Sequence, residues 1–129
     1  MLNLIEIFVI LIIHWIADFI LQTDKMAKGK SNNWYDLLDH TFTYSLVWLI
    51  AGLIYGFVCL FTGNEISLII PIFFFMITLI CHTATDYVTS RINKILWNKG
   101  DVHNFFVSVG FDQILHYVQL YLTYYLLFK

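Results

Sequence analysis

Four pairs of histidine and aspartate occur along this chain at a spacing of one helical turn. The pairs are His14 with Asp18, Asp36 with His40, His82 with Asp86, and Asp112 with His116. Side chains four residues apart meet on one face of a helix. With five His and seven Asp in 129 residues, chance predicts roughly 0.5 such pairs. Imidazole and carboxylate are ligands of Zn²⁺, Mn²⁺ and Fe²⁺, so the pattern predicts a site for one or two divalent metal ions.

Each pair lies in or beside an apolar stretch that is long enough to cross a membrane as a helix. The chain is 60% hydrophobic and 12% charged, which is more apolar surface than a soluble domain of this size can bury. A bilayer core is about 30 Å thick and needs about 20 residues of helix. The stretches are approximately 2–22, 36–61, 67–89 and 104–127. The sequence therefore predicts a single transmembrane domain over residues 1–129, folded as an all-α, integral membrane four-helix bundle.

The basic residues predict how this bundle is oriented. They fall between the first and second stretches and between the third and fourth, at Lys25, Lys28, Lys30, Arg91, Lys94 and Lys99. The connection between the second and third stretches has no Lys or Arg. Because cytoplasmic loops carry the excess of positive charge, we expect both basic loops in the cytoplasm and both termini outside.

The order of the four pairs repeats, as His–Asp followed by Asp–His and then the same again. A two-helix hairpin duplicated in parallel, with a pseudo-two-fold axis along the membrane normal, would produce this order. In helices of alternating direction, every Asp then lies on the cytoplasmic side of its His. We therefore expect all eight side chains in one layer, in the cytoplasmic half of the bundle.

Charge neutralisation favours a cation at this layer. An ionised Asp inside a membrane costs at least about 2.5 kcal/mol, and no Lys or Arg lies within the four stretches. Protons or a bound metal are then the expected neutralising groups. The predicted ligands are His14, Asp18, His40, His82, Asp86, Asp112 and His116. Candidates for a further ligand or an orienting group are Asp36, Gln22, Gln113, Thr43 and Tyr44, and Asp18 or Asp39 is the candidate general base.

A metal site inside a membrane bundle predicts a hydrolase that acts on an ester or phosphoester of a lipid-like substrate. Three alternatives remain open from the residues alone. The same buried groups suit a component that transports divalent metal or protons, and two His can hold a haem axially. A structural membrane protein would use the polar layer only to fix its bundle.

The expected partners follow from the same features. Membrane lipid is the first, and no basic patch indicates nucleic acid. Gly52 and Gly56 form a GxxxG motif, which lets another helix approach closely. That helix comes either from this chain or from a second copy in a homo-oligomer.

Four motifs resemble the domain-of-unknown-function family 3307, which consists of small bacterial and phage membrane proteins. They are HWIADFILQTDKMAKGK, the DH that opens the second stretch, HTATDY and FDQILHY. The resemblance covers nearly the whole chain and implies the bacterial cytoplasmic membrane as its location. It matches the family's polar positions at His14, Asp18, Gln22, His40, His82, Asp86, Asp112, Gln113 and His116. It does not include Asp36, and it implies no activity.

Overall fold

The structure, a computed structural model, describes residues 3–63 and 67–128. All regular secondary structure in these residues is helical, which confirms the predicted all-α class. The elements are α1 (Leu4–Trp15), a π-helical turn (Ile16–Ile20), α2 (Asp24–Gly29), α3 (Trp34–Phe61), α4 (Ile70–Asn98) and α5 (Val102–Phe128). The sequence did not predict α2, and α4 continues well beyond its predicted end at residue 89.

Local signals set where the long helices begin and end. The Asn33 side chain accepts a hydrogen bond from the backbone N–H of Asp36 and so caps the start of α3. Pro71 lies in the first turn of α4, where its missing N–H is tolerated. Between α4 and α5, Gly100 has a φ of 71°, a left-handed conformation that glycine adopts without strain. The chain therefore reverses direction within a few residues.

The π turn follows α1 directly and contains Asp18. Its signature is a hydrogen bond from the Leu21 N–H to the Ile16 carbonyl, with an N–O distance of 3.0 Å. Such turns occur mostly as single insertions in α-helices and are frequent at functional sites. This turn places Asp18 among the buried residues.

The four long segments surround a common core. Helix α4 packs along both α3 and α5, and α1 contacts α5 through the Tyr124 hydroxyl, which donates to Glu6 at 3.1 Å. The main cluster of buried apolar side chains consists of Ile10, Ala17, Tyr44, Trp48, Phe74 and Leu120. This core adjoins the polar pairs, because its Tyr44 ring stacks on the ring of His82.

The outside of the protein is largely apolar. Among the described residues, α3 and α4 are the helices that are long and apolar enough to cross a membrane. Only 28% of the most apolar window of each helix is buried. A core helix of a soluble protein would bury most of this surface. Two of the four predicted spans thus meet this criterion, and the other two, in α1 and α5, stay predictions.

Gly52 lies where α3 approaches α4 most closely. A Cβ added to Gly52 would lie 3.0 Å from Pro71 Cβ and 3.4 Å from Pro71 Cα. The proline ring and backbone cannot move aside as a flexible side chain would. Gly52 therefore serves close packing within this chain, while the homo-oligomer through Gly52 and Gly56 stays a prediction.

We expect Gly52→Ala to lower the free energy of unfolding by about 1 kcal/mol, because the added methyl group overpacks this contact. Gly110→Ala is the matched control, since a Cβ at Gly110 meets nothing within 4 Å. There the better helix propensity of Ala should raise stability by up to about 1 kcal/mol. Unfolding in detergent measures both changes, and equal effects at the two positions would contradict this packing role.

Candidate metal centre

Five buried side chains from four segments meet in one place. Asp18 comes from the π turn, His40 from α3, His82 and Asp86 from α4, and His116 from α5. Each is at most 5% exposed to solvent. We call these five residues the His/Asp cluster. Helical spacing puts each pair on one face, and the packing of α4 between its neighbours brings the faces together.

Three ligand atoms of the cluster form a nearly regular triangle. His40 Nε2 lies 3.1 Å from Asp18 Oδ1 and 3.2 Å from His82 Nε2. The third side, from His82 Nε2 to Asp18 Oδ1, is 3.5 Å. A tetrahedral zinc ion with bonds of about 2.0–2.1 Å separates its ligands by about 3.3 Å. The triangle therefore has the dimensions of three corners of a zinc site.

A second group overlaps the first and consists of His82, Asp86 and His116. His116 Nε2 lies 3.2 Å from Asp86 Oδ1. The other carboxylate oxygen, Asp86 Oδ2, lies 3.2 Å from His40 Nε2 and so faces the first group. These buried His and Asp side chains can hold a metal ion, and Asp86 presents one oxygen on each side.

The orientation of the His82 ring is fixed by stacking. The centroid of its ring lies 3.8 Å from the centroid of the Tyr44 ring, and the angle between the two planes is 10°. The hydroxyl oxygen of Tyr44 lies 2.7 Å from His14 Nδ1. Tyr44, predicted as a candidate orienting group, thus contacts two of the four predicted His residues.

His14 lies beside the cluster, with both ring nitrogens engaged. Nδ1 faces the Tyr44 hydroxyl at 2.7 Å, and Nε2 lies 2.8 Å from Gln113 Oε1. Because an amide oxygen only accepts, Nε2 carries the proton and Nδ1 accepts from Tyr44. The structure does not bring His14 into either three-residue group. Its assignment as a ligand stays a prediction.

Asp112 and Gln113 form the next layer of contacts. Thr89 donates its hydroxyl to Asp112 Oδ1 at 2.6 Å, and His116 Nε2 lies 3.4 Å from the same oxygen. The Gln113 amide donates to Asp18 and to Asp112, each at 3.2 Å. Asp112 is likewise outside both three-residue groups, and its carboxylate lies beside His116.

Asp36 does not contact His40, its partner in the sequence pattern. Its carboxylate accepts from the Asn33 amide at 2.6 Å and pairs with Lys25 at 3.4 Å. It is buried at the first turn of α3. The fourfold His/Asp pattern is therefore incomplete in the fold.

The remaining candidates lie farther from the cluster. Asp39 is exposed and Thr43 is half-buried, and neither has a polar contact with the cluster in residues 3–63 and 67–128. Gln22 lines a cavity of about 620 Å³ that also reaches Asp18 and Asp112. The cavity gives the cluster an opening at the end of the protein where α2 lies.

Lys30 is a charged neighbour of the cluster that the sequence did not predict. Its Nζ lies 2.7 Å from Asp86 Oδ2 and 3.5 Å from His40 Nε2, and the side chain is 18% exposed. Burial alone lowers the pKa of the ammonium, but the charges of Asp86 and Asp18 outweigh burial and raise this pKa. The expectation that only protons or a metal neutralise the acids was wrong, because a lysine supplies one positive charge.

A family profile described as "Protein of unknown function (DUF3307)" matches residues 7–129. This match confirms the resemblance that the four motifs carry, and it includes the whole His/Asp cluster. No curated protein and no solved structure matches the chain.

Proposed function

The chain belongs to the DUF3307 family, and from the geometry of its buried cluster we propose that it is a membrane-embedded, metal-dependent hydrolase. Its substrate is an ester or phosphoester of a lipid-like molecule. The observation that carries the proposal is the triangle of Asp18, His40 and His82, whose sides of 3.1, 3.2 and 3.5 Å suit a small divalent ion.

The metal would be held by the five residues of the His/Asp cluster. Their donor set of imidazole nitrogens and carboxylate oxygens suits Zn²⁺, Mn²⁺ or Fe²⁺. When bound, such an ion supplies a Lewis acid and lowers the pKa of water toward neutrality. Gln113 holds Asp18 through its amide, 3.2 Å from Oδ2, and leaves Oδ1 for the ion.

Asp112 is the carboxylate that we assign as general base, in place of the candidates Asp18 and Asp39, because Asp18 belongs to the ligand set. Asp112 lines the cavity, whereas Asp39 is exposed elsewhere on α3. Water attacks the carbonyl carbon or the phosphorus, and the bond to the alcohol oxygen breaks. Asp112 takes the proton that the water loses and returns it to the departing alcohol. Thr89 holds this carboxylate by a hydrogen bond of 2.6 Å.

The apolar exterior supports a membrane location. In the most apolar segment of α3, and likewise of α4, most residues lie outside the protein core. Hydrocarbon is the environment that such a surface requires. By length, α5 and the combined α1 and π turn suit the other two spans, at about 1.5 Å per residue. We therefore keep the four-helix membrane bundle as part of the proposal.

The basic segments support an opening on the cytoplasmic side. Lys30 reaches the cluster from the segment between α2 and α3, and Lys94 on α4 donates to Asn32. The cluster is thus on the same side as the positively charged segments. By the positive-inside rule that side is cytoplasmic.

Packing bears differently on two of the alternatives. The half of the core beyond the cluster contains buried polar side chains, because the Gln119 amide donates to Thr78 at 3.3 Å and to Thr123 at 3.0 Å. The transport alternative therefore stays open. A haem between His40 and His82 is disfavoured, because Asp18 and Asp86 lie 3.1 and 3.2 Å from His40 Nε2, where the macrocycle would have to fit.

Purified protein should contain about one to two divalent ions per chain, measured by elemental mass spectrometry. We expect a chelator to abolish hydrolysis of a lipid ester or phosphoester, and the removed ion to restore it. Circular dichroism after chelation serves as the control for folding. Metal-free protein that is folded and retains full activity would refute the proposal.

A further inference from the structure

The cavity that leads to the cluster is lined by two chemically different sets of side chains. Three of them are lysines: Lys28 on α2, Lys30 after it, and Lys94 on α4. Much of the rest is apolar and includes Phe19, Trp97, Phe105, Phe106 and Val109, while the carboxylates of Asp18 and Asp112 lie where the cavity reaches the cluster. A ligand with an anionic group and an apolar part suits the lysines and the apolar side chains.

Three polar atoms in the same cavity have no partner among the described residues. They are Gln22 Oε1, Ser90 Oγ and Asn93 Oδ1, and all three residues line the cavity. Buried polar atoms in folded proteins nearly always form a hydrogen bond. Oxygens of this kind accept hydrogen bonds from hydroxyl groups. The lining of the cavity thus combines lysines with side chains whose buried oxygens lack a partner among the described residues.

Lys28 remains available to a ligand. Within residues 3–63 and 67–128 its ammonium group pairs only with Asp24, at 3.4 Å, and both side chains are at least 80% exposed. Exposed pairs of this kind contribute little energy because water screens them. A phosphate entering the cavity mouth can therefore recruit this lysine at small cost.

We propose that the cavity binds an amphiphile whose headgroup carries both a phosphate and hydroxyl groups, as in an anionic glycerophospholipid. Lys28 and Lys94 bind the phosphate, since Lys30 is held by Asp86, and the unpartnered oxygens accept from the hydroxyls. The aromatic wall packs against the start of the hydrocarbon chain. As a statement about the substrate, the inference rests on the proposed function, because the same cavity opens onto the His/Asp cluster.

Binding of lysophosphatidylglycerol and lysophosphatidylcholine with the same acyl chain tests this inference. The protein is held in detergent micelles, and tryptophan fluorescence reports binding, since Trp97 lines the cavity. We expect the anionic lipid to bind about tenfold more tightly. The double variant Lys28→Gln/Lys94→Gln should remove that preference, since each basic residue near a lipid surface contributes several-fold in affinity.

The matched control is Lys25→Gln/Lys99→Gln, which removes the same charge outside the cavity lining. It should leave the preference intact. An equal loss in the control would indicate general attraction to basic loops and overturn the inference, as would equal binding of the two lipids. Glycerol 3-phosphate is the third arm, and binding as tight as that of the lipid would assign the site to a free phosphate ester.

Metal content measured in the same samples separates the two proposals. Selective binding of the anionic lipid to a protein that holds no metal supports the headgroup site and rejects the hydrolase. A metal-loaded, hydrolytically active protein without the preference retains the hydrolase and rejects the headgroup site.

Discussion

Replacement of His82 by Ala should remove nearly all divalent metal from the protein, because His82 belongs to both three-residue groups. Its Nε2 lies 3.2 Å from His40 Nε2 and 3.5 Å from Asp18 Oδ1, so the substitution opens one corner of the triangle. Loss even of an outer-shell partner costs about 10–100-fold in metal affinity. We therefore expect at least about a 100-fold loss for a shared ligand, measured by competition with a chromophoric chelator.

Four further variants make this expectation specific. His103→Ala is the matched control, since His103 is exposed near the start of α5, and it should retain all metal. His40→Ala and His116→Ala each alter one group, so each should lose less metal than the His82 variant. His82→Asn keeps a polar side chain under Tyr44 and guards against misfolding. Wild-type metal content in both His82 variants would rule out the cluster as the metal site.

The spacing of the pairs predicted which faces turn inward, but not which side chains contact each other. Within one helix, His82 Nε2 and Asp86 Oδ2 are 3.8 Å apart. The shorter contacts join different segments, as between Asp18 and His40 at 3.1 Å. A one-turn spacing fixes the direction of a side chain, while the partner depends on how the helices pack. Metal-binding residue types were thus predictable, and their grouping was not.

Asp36 and Lys30 show why the contacts of individual side chains could not be predicted from the sequence pattern. Asp36 lies in the first turn of α3, where free backbone N–H groups and the helix dipole favour a carboxylate. There Asn33 and Lys25 bind it. Lys30 lies outside every apolar stretch, yet its long side chain reaches inward to Asp86. The only signal for this was the Thr23 cap, which begins α2 and precedes the reversal of the chain.

The end of α4 and the π turn were also not predictable from the sequence. The third apolar stretch ends at residue 89 because charged residues follow it, and the structure continues the helix to Asn98. The π turn at Ile16–Ile20 adds one residue to a helical turn, and its amino-acid composition does not differ from that of the neighbouring helix. A hydropathy profile reports only whether each segment is apolar or mixed, so it predicts neither the π turn nor the end of α4.

Lys30→Met should destabilise the metal-free protein by about 3 kcal/mol, because it leaves the buried Asp86 carboxylate without its lysine partner. The two groups are 2.7 Å apart, and the aspartate is 1% exposed. Unfolding of chelator-treated protein in detergent measures the loss. Lys28→Met is the matched control, since its pair with Asp24 is exposed and should contribute no measurable stability.

Bound metal should reverse most of this loss. Asp86 Oδ2 faces both Lys30 Nζ and His40 Nε2, at 2.7 and 3.2 Å, so an ammonium and a metal ion compete for one oxygen. With the lysine removed, the ion supplies the missing charge without a competitor. By thermodynamic linkage, the increase in the metal-binding free energy of the variant equals the stability that it regains when metal binds. Lys30→Arg keeps the charge and should retain stability without metal. Equal destabilisation of Lys30→Met with and without metal would mean that Lys30 acts through packing, and that the cluster does not exchange one cation for another.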